Sequence, residues 1–204
     1  MKSQSPRRAG IVLSISLALL AGCSAVASMP SRGASGERRP SLGVRHSVHN
    51  GWNHDFRITD AAGTTEGDES VNATTVGVDY EFPWGAHSTA YVGLETLDLE
   101  LGETWGVNLG GRYYWDVLYK SRPYLLVEVS RYGGLAVHGS PDRDPFYLLG
   151  FGLGFSYPFA EHYALEASVM HRDTLGSIET DEGAFTAKER FSGLFGLLAL
   201  RWYF

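Results

Sequence analysis

The chain has a single cysteine, Cys23, among 204 residues, which excludes an internal disulfide and a multi-cysteine zinc site. It also lacks an excess of positive charge, with 17 lysines and arginines against 23 aspartates and glutamates. Lys2, Arg7 and Arg8 all precede Cys23, so the remainder carries 14 basic and 23 acidic groups, a net of −9. A nucleic-acid binder shows the opposite sign. Eight prolines and 25 glycines are too few for a collagen-like or low-complexity chain. No apolar run reaches the length of about 20 residues that a membrane-spanning helix needs. Beyond residue 40 no segment repeats its apolar residues at helical spacing. No glycine-rich phosphate loop or EF-hand spacing occurs, and the histidines before His171 are scattered, so no metal site and no cofactor is expected.

What is present begins with a leader. Residues 1–22 read as a signal peptide, with Lys2, Arg7 and Arg8 ahead of a short apolar run from Ile11 to Ala21. The run ends in Leu20-Ala21-Gly22-Cys23, which resembles the lipobox of bacterial lipoproteins. That resemblance implies lipidation of Cys23, and Ser24 after it implies transport to the outer membrane. The alternative is simple cleavage near Ala27, after the small-x-small triplet Ala25-Val26-Ala27. Residues 23–40 read as a flexible tether.

From residue 41 the period is two. The clearest case is Tyr147 to Phe159, where the odd positions are all Tyr, Leu or Phe and the even ones are mostly Gly and Ser. Eight such strands are expected, at 41–49, 74–83, 88–98, 104–116, 122–132, 145–158, 162–172 and 191–204. One face of each is apolar: Val76, Val78, Tyr80 and Phe82; Trp105, Val107, Leu109, Tyr113 and Trp115; Leu125, Val127 and Val129; Tyr163, Leu165, Ala167 and Val169; Leu194, Leu198, Leu200, Trp202 and Phe204. The opposite faces carry Arg45, Asp79, Glu81, Glu95, Arg112, Glu128, Glu166 and Arg201. These charges must pair or meet water, because an isolated buried charge costs several kcal/mol. Paired charges inside and bulky apolar groups outside invert a soluble barrel and suit a membrane one. The expected fold is therefore all-β, an eight-stranded antiparallel transmembrane up-and-down barrel over residues 41–204.

Short connections are expected after strands two, four and six, and long or polar ones at 50–73, 133–144 and 173–190, the exception being a tight connection after strand three near Glu100 to Glu103. In outer-membrane barrels the short turns face the periplasm, so both termini are expected there and the long loops outside. Aromatic belts follow: Phe82, Trp84, Trp115, Tyr157, Phe159, Tyr163, Trp202 and Phe204 at the periplasmic ends, and Trp105, Tyr147 and Phe191 at the outer ends.

These segments, with the ending Leu198-x-Leu200-x-Trp202-x-Phe204, resemble the small eight-stranded outer-membrane β-barrels of Gram-negative bacteria. The resemblance implies outer-membrane lipid and lipopolysaccharide as surroundings, and recognition of Phe204 by the barrel-assembly machinery. It leaves the oligomeric state open.

Chemistry has a weaker basis. Residues 159–175 resemble the strand pattern of lipid A deacylase barrels, whose motif is His-x-Ser-Asn. Here His171 is present, but Asp173 stands where the nucleophilic serine would be. A Ser-His-acid mechanism needs a hydroxyl in reach of the imidazole, so an interfacial histidine beside a carboxylate is the preferred reading. The lumen acids form either a cation path or a structural plug, and an interior this narrow favours the plug. The acidic outer loops read as solvated, with divalent bridging to lipopolysaccharide as the alternative. Arg131 reads as a headgroup-level cation that either stays solvated or touches a lipid phosphate. The first functional expectation is a non-catalytic barrel with a structural or surface-binding role. The alternatives are a lipid A ester hydrolase using His171 and a lipid-anchored, lipocalin-like carrier of small apolar ligands.

Overall fold

A computed structural model describes residues 39–100, 102–115, 121–134, 136–137, 144–181 and 183–204. The leader, Cys23 and most of the tether therefore lie outside the described residues. The elements are β1 (Ser41–Asp60), β2 (Gly63–Pro83), β3 (Ser88–Leu99), β4 (Gly102–Tyr114), β5 (Arg122–Tyr132), β6 (Ala136–Val137), β7 (Phe146–Ala160), β8 (Tyr163–Thr174), β9 (Ile178–Asp181) and β10 (Phe185–Tyr203). Eight of them pair antiparallel in the order β1-β2-β3-β4-β5-β7-β8-β10, and β10 pairs back onto β1, closing the ring. The short strands β6 and β9 add to β4 and β10.

Followed from Ser41 through Glu81, Tyr91, Gly110, Glu128, Gly150, Arg172 and Gly193, the register returns to β1 about ten residues along from its start. A stagger of that size inclines eight strands by roughly 40° and leaves room inside for side chains alone.

Strict alternation sorts the side chains. The apolar faces read from the sequence point outward on every strand, with Leu109, Leu153 and Leu194 each more than half exposed. Glycine makes space for large groups inside. A Cβ at Gly110 would run into the Tyr91 ring, and one at Gly154 would meet Tyr124. Val, Leu and aromatic residues suit the outer, pleated surface.

Two expectations are corrected here. The segments 50–73 and 173–190 are not loops. β1 and β2 run on to a two-residue turn at Ala61-Ala62, where Asp60 Oδ1 accepts from the Ala62 and Gly63 amides at 2.7 and 3.0 Å. β9 and β10 extend likewise, so a sheet of β2, β1, β10 and β9 stands beyond the ring. Its polar residues are the solvent side of an alternation whose other side is Trp52, Val71, Ile178, Ala187 and Phe191. Phe191 is the second correction. It is fully buried inside and belongs to no outer belt, because a period of two groups it with Phe195 and Arg201, not with Trp202.

The tight inner face yields a test. Gly110→Leu should cost at least ~1–3 kcal/mol by overpacking against Tyr91, while Leu109→Val on the outward side of the same strand should cost far less. Urea unfolding in detergent or lipid measures both.

Candidate functional site

The interior is the most densely organised part of the molecule. Arg45, Asp79, Glu81, Glu95, Arg112, Glu128, Glu166 and Arg201 are all buried on the inner face. They form two groups. Nearer the chain ends, Arg201 reaches Asp79 at 2.8 Å, Glu81 at 3.2 Å and Glu166 at 3.1 Å. Arg112 pairs with Glu81 and lies 3.7 Å from Glu166. Further along, Arg45 holds Glu95 and Glu128, each at 2.6 Å.

The second group contains a residue that the sequence reading left out of the inner charges, at the end of the expected strand 162–172. Arg172 is fully buried and bonds Glu128 at 2.6 Å and Glu95 at 3.0 Å. β8 runs on to Thr174, and Arg172 keeps the parity of Glu166. That parity was the available signal.

Tyrosines complete the network. Tyr91 donates to Glu128 at 2.9 Å, Tyr114 to Glu81 at 3.1 Å, and Tyr132 to Glu95. Arg112 lies over the Tyr91 ring at 4.6 Å, a favourable cation–π distance.

Above the charges the lumen becomes apolar. Trp52, Leu97, Tyr132, Phe146, Leu148, Phe191 and Phe195 belong to one buried cluster near the far end of the ring. Trp52 packs on Phe191 at 4.9 Å and on Phe195 at 5.2 Å. Toward the chain ends a smaller group of Tyr114, Tyr124, Leu126 and Met170 fills the ring. A lipocalin-like carrier needs an open apolar cavity; this interior is occupied by side chains.

The outward aromatics sit as follows. Trp84, Trp115, Tyr157, Tyr163, Trp202 and Phe204 are exposed and Phe159 is half-buried, toward the end where the chain enters and leaves the ring. Trp105 and Tyr147 are exposed toward the other end. Between the two lie about ten residues of apolar wall on β4, roughly 25 Å at the expected tilt.

His171 and Asp173 face outward on β8, but nothing joins them. The His171 ring packs on Phe151 at 5.4 Å, and Asp173 lies 3.6 Å from Arg190. Among the described residues no cluster of histidine and carboxylate groups is arranged to hold a metal.

At the foot of the protruding sheet, His54 ties three strands. Its Nδ1 is 2.9 Å from Glu69 on β2, its Nε2 is 3.3 Å from Glu189 on β10, and its ring stacks on Phe191 at 4.5 Å. The outward faces here are polar (Asn53, Asp55, Arg57, Arg190), so this level lies beyond the apolar wall. Burial opposes protonation of His54, but the hydrogen bonds to Glu189 and Glu69 outweigh it and raise its pKa above the ordinary imidazole value. A raised folded-state pKa stabilises fully below about 6.5, and that stabilisation fades as pH rises through the raised value. The gap in melting temperature between wild type and His54→Gln should therefore be larger at about pH 5 than at about pH 8.5. A gap independent of pH would show that His54 does not carry the clasp.

No family model and no curated protein matches the chain. Solved structures do. The outer membrane protein AlkL, determined by solid-state NMR in DMPC bilayers, matches with a TM-score of 0.56 at 14% identity, over 87% of this chain and 95% of that one. The outer membrane protein OprG from Pseudomonas aeruginosa matches with a TM-score of 0.53 at 15% identity, over 84% and 99%. At such identities the likeness speaks for the fold, and with the closed ring, the apolar wall and the charged interior it gives the conclusion: this chain has the fold of the eight-stranded transmembrane β-barrels of outer membranes.

Proposed function

We propose that the protein resides in the outer membrane and performs no catalysis, acting as a structural or surface-binding element of the envelope. The observation that carries this reading is the filled interior. Ion pairs occupy the ring and an aromatic cluster lies beyond them, which supports a plugged barrel. What the molecule offers instead is the protruding sheet, whose outward side chains are polar, with Asp55, Glu66, Asp68, Glu179 and Asp181 set among Arg57, Lys188 and Arg190. In this reading both barrel termini are periplasmic and the sheet is extracellular. Cys23 carries a lipid in the inner leaflet, Phe204 serves barrel assembly, and outer-membrane lipid and lipopolysaccharide surround the wall.

The non-catalytic part is supported by the surroundings of His171. Its imidazole rests on Phe151, and Asp173 is drawn to Arg190. Mass spectrometry of lipid A from a deacylase-free host should be unchanged by overexpression of the protein. Loss of one acyl chain, abolished by His171→Ala, would replace this reading with that of a hydrolase. In planar bilayers the wild type should show no steady conductance. The triple variant Trp52→Ala, Phe191→Ala, Phe195→Ala, which empties that cluster, should show openings. Steady wild-type conductance would contradict a plugged barrel.

A further inference from the structure

Toward the end of the ring away from the chain termini, the outward-facing arginines and lysines of the described residues are Arg57, Arg131, Lys188 and Arg190. Three of them hold a carboxylate. Arg57 meets Glu66 at 2.6 Å, Lys188 meets Glu179 at 2.7 Å, and Arg190 lies 3.6 Å from Asp173. These three stand on β1 and β10, the middle of the protruding sheet. Arg131 stands on β5, on the opposite side of the ring. It is exposed, and among the described residues no carboxylate pairs with it.

The register shows what flanks Arg131. Its cross-strand partners are Val107 on β4 and Tyr147 on β7. Trp105 stands two residues from Val107, further from the termini, and Trp105 and Tyr147 are both exposed on the outward face. On the other side of this level, the same three strands present Leu109, Val129 and Leu149, part of the apolar wall.

These polar groups are one-sided in their chemistry. A guanidinium has five N–H donors and no acceptor, an indole N–H only donates, and a phenol hydroxyl can donate. Adjacent strands therefore present donors at one level, bordering hydrocarbon. Such a set suits an anionic oxygen group, and the planar guanidinium matches phosphate through two parallel hydrogen bonds.

The surrounding charges select the direction of approach. Further from the termini, Asp98 and Glu103 stand directly cross-strand from one another, and Asp144 precedes β7, all three exposed. Like charges so placed repel an anion arriving from solvent. A phosphate carried by a lipid reaches Arg131 from the side, beneath those carboxylates, with its acyl chains along Leu109, Val129 and Leu149.

We propose that Arg131, with the Trp105 indole N–H and the Tyr147 hydroxyl on the strands beside it, binds the phosphate of a bilayer lipid. The site deepens the membrane reading and rests on it. The full chain is therefore first reconstituted into galactolipid nanodiscs, which carry no phosphate. Failure to reconstitute would count against the membrane reading and take the site with it.

Phosphatidic acid is then titrated into the loaded nanodiscs while the arginine side-chain N–H resonances are followed by NMR. The Arg131 resonance is identified by its loss in Arg131→Gln. It should move and saturate with phosphatidic acid, whereas that of Arg190, already beside Asp173, should stay. Tyr147→Phe and Trp105→Phe each keep a ring and remove one donor, and each should weaken binding about fivefold, the effect of one hydrogen bond. Diacylglycerol, with the same chains and no phosphate, should leave the Arg131 resonance in place, and so should inorganic phosphate. No saturable shift with phosphatidic acid, or an equal shift with diacylglycerol, would overturn the proposal. A saturable shift with inorganic phosphate alone would overturn the lipid-borne source. The wild-type titration decides the matter even where a variant does not fold.

Discussion

Four arginines and five carboxylates inside a ring of eight strands are the constraint on which the molecule rests. Arg45, Arg112, Arg172 and Arg201 face Asp79, Glu81, Glu95, Glu128 and Glu166 with all nine buried. Each arginine bridges at least two acids, and the acids draw on tyrosine hydroxyls from strands two places away in the ring. Such a network is tolerable only when complete, because breaking one partner leaves an uncompensated charge in a low-dielectric interior. The pairing fixes the register, since a slip of one residue would turn these charges into the wall. It also fixes the glycines, which yield the volume that the arginines and tyrosines fill. With the interior occupied by charge, the bulky apolar residues have only the outside to go to, and lipid is the solvent that accepts them.

The same filling decides what the barrel can do. The ion pairs and the cluster of Trp52, Phe191 and Phe195 occupy the interior, which supports the proposal of a role on the exterior. There the structure offers a long polar sheet clasped at its foot by His54, and the donors of Trp105, Arg131 and Tyr147 across the ring. A bulge in β1, between Val48 and Asn53, lies close to the clasp in sequence. The bulge shifts the parity of β1, so that His54 and Trp52 point inward although the inward residues before it are odd-numbered.

Much of the ring was legible because two-residue periodicity is local. Tyr147 to Phe159 declares both faces without reference to any other strand, and the charged positions share the parity of the small ones. The protruding sheet was not legible, since polar residues at 53–70 and 173–190 satisfy a loop and a solvated strand equally well. For that reason Arg172 was left out of the inner charges and Phe191 was assigned to an outer belt, each lying where an expected strand ended or began. The partners of a charge are also beyond a sequence reading: Arg172 meets Glu95 and Glu128, which stand on β3 and β5, across the interior from β8.

The central claim is that the interior charges are held by their mutual pairing. A double-mutant cycle on Arg172 and Glu95, followed by reversible urea unfolding from lipid vesicles, tests it most directly. Arg172→Met alone should cost ~3–5 kcal/mol, because two buried carboxylates lose a partner. Adding Glu95→Gln should recover part of that loss, with a coupling of about 2 kcal/mol or more. Simple additivity of the two substitutions would contradict the account.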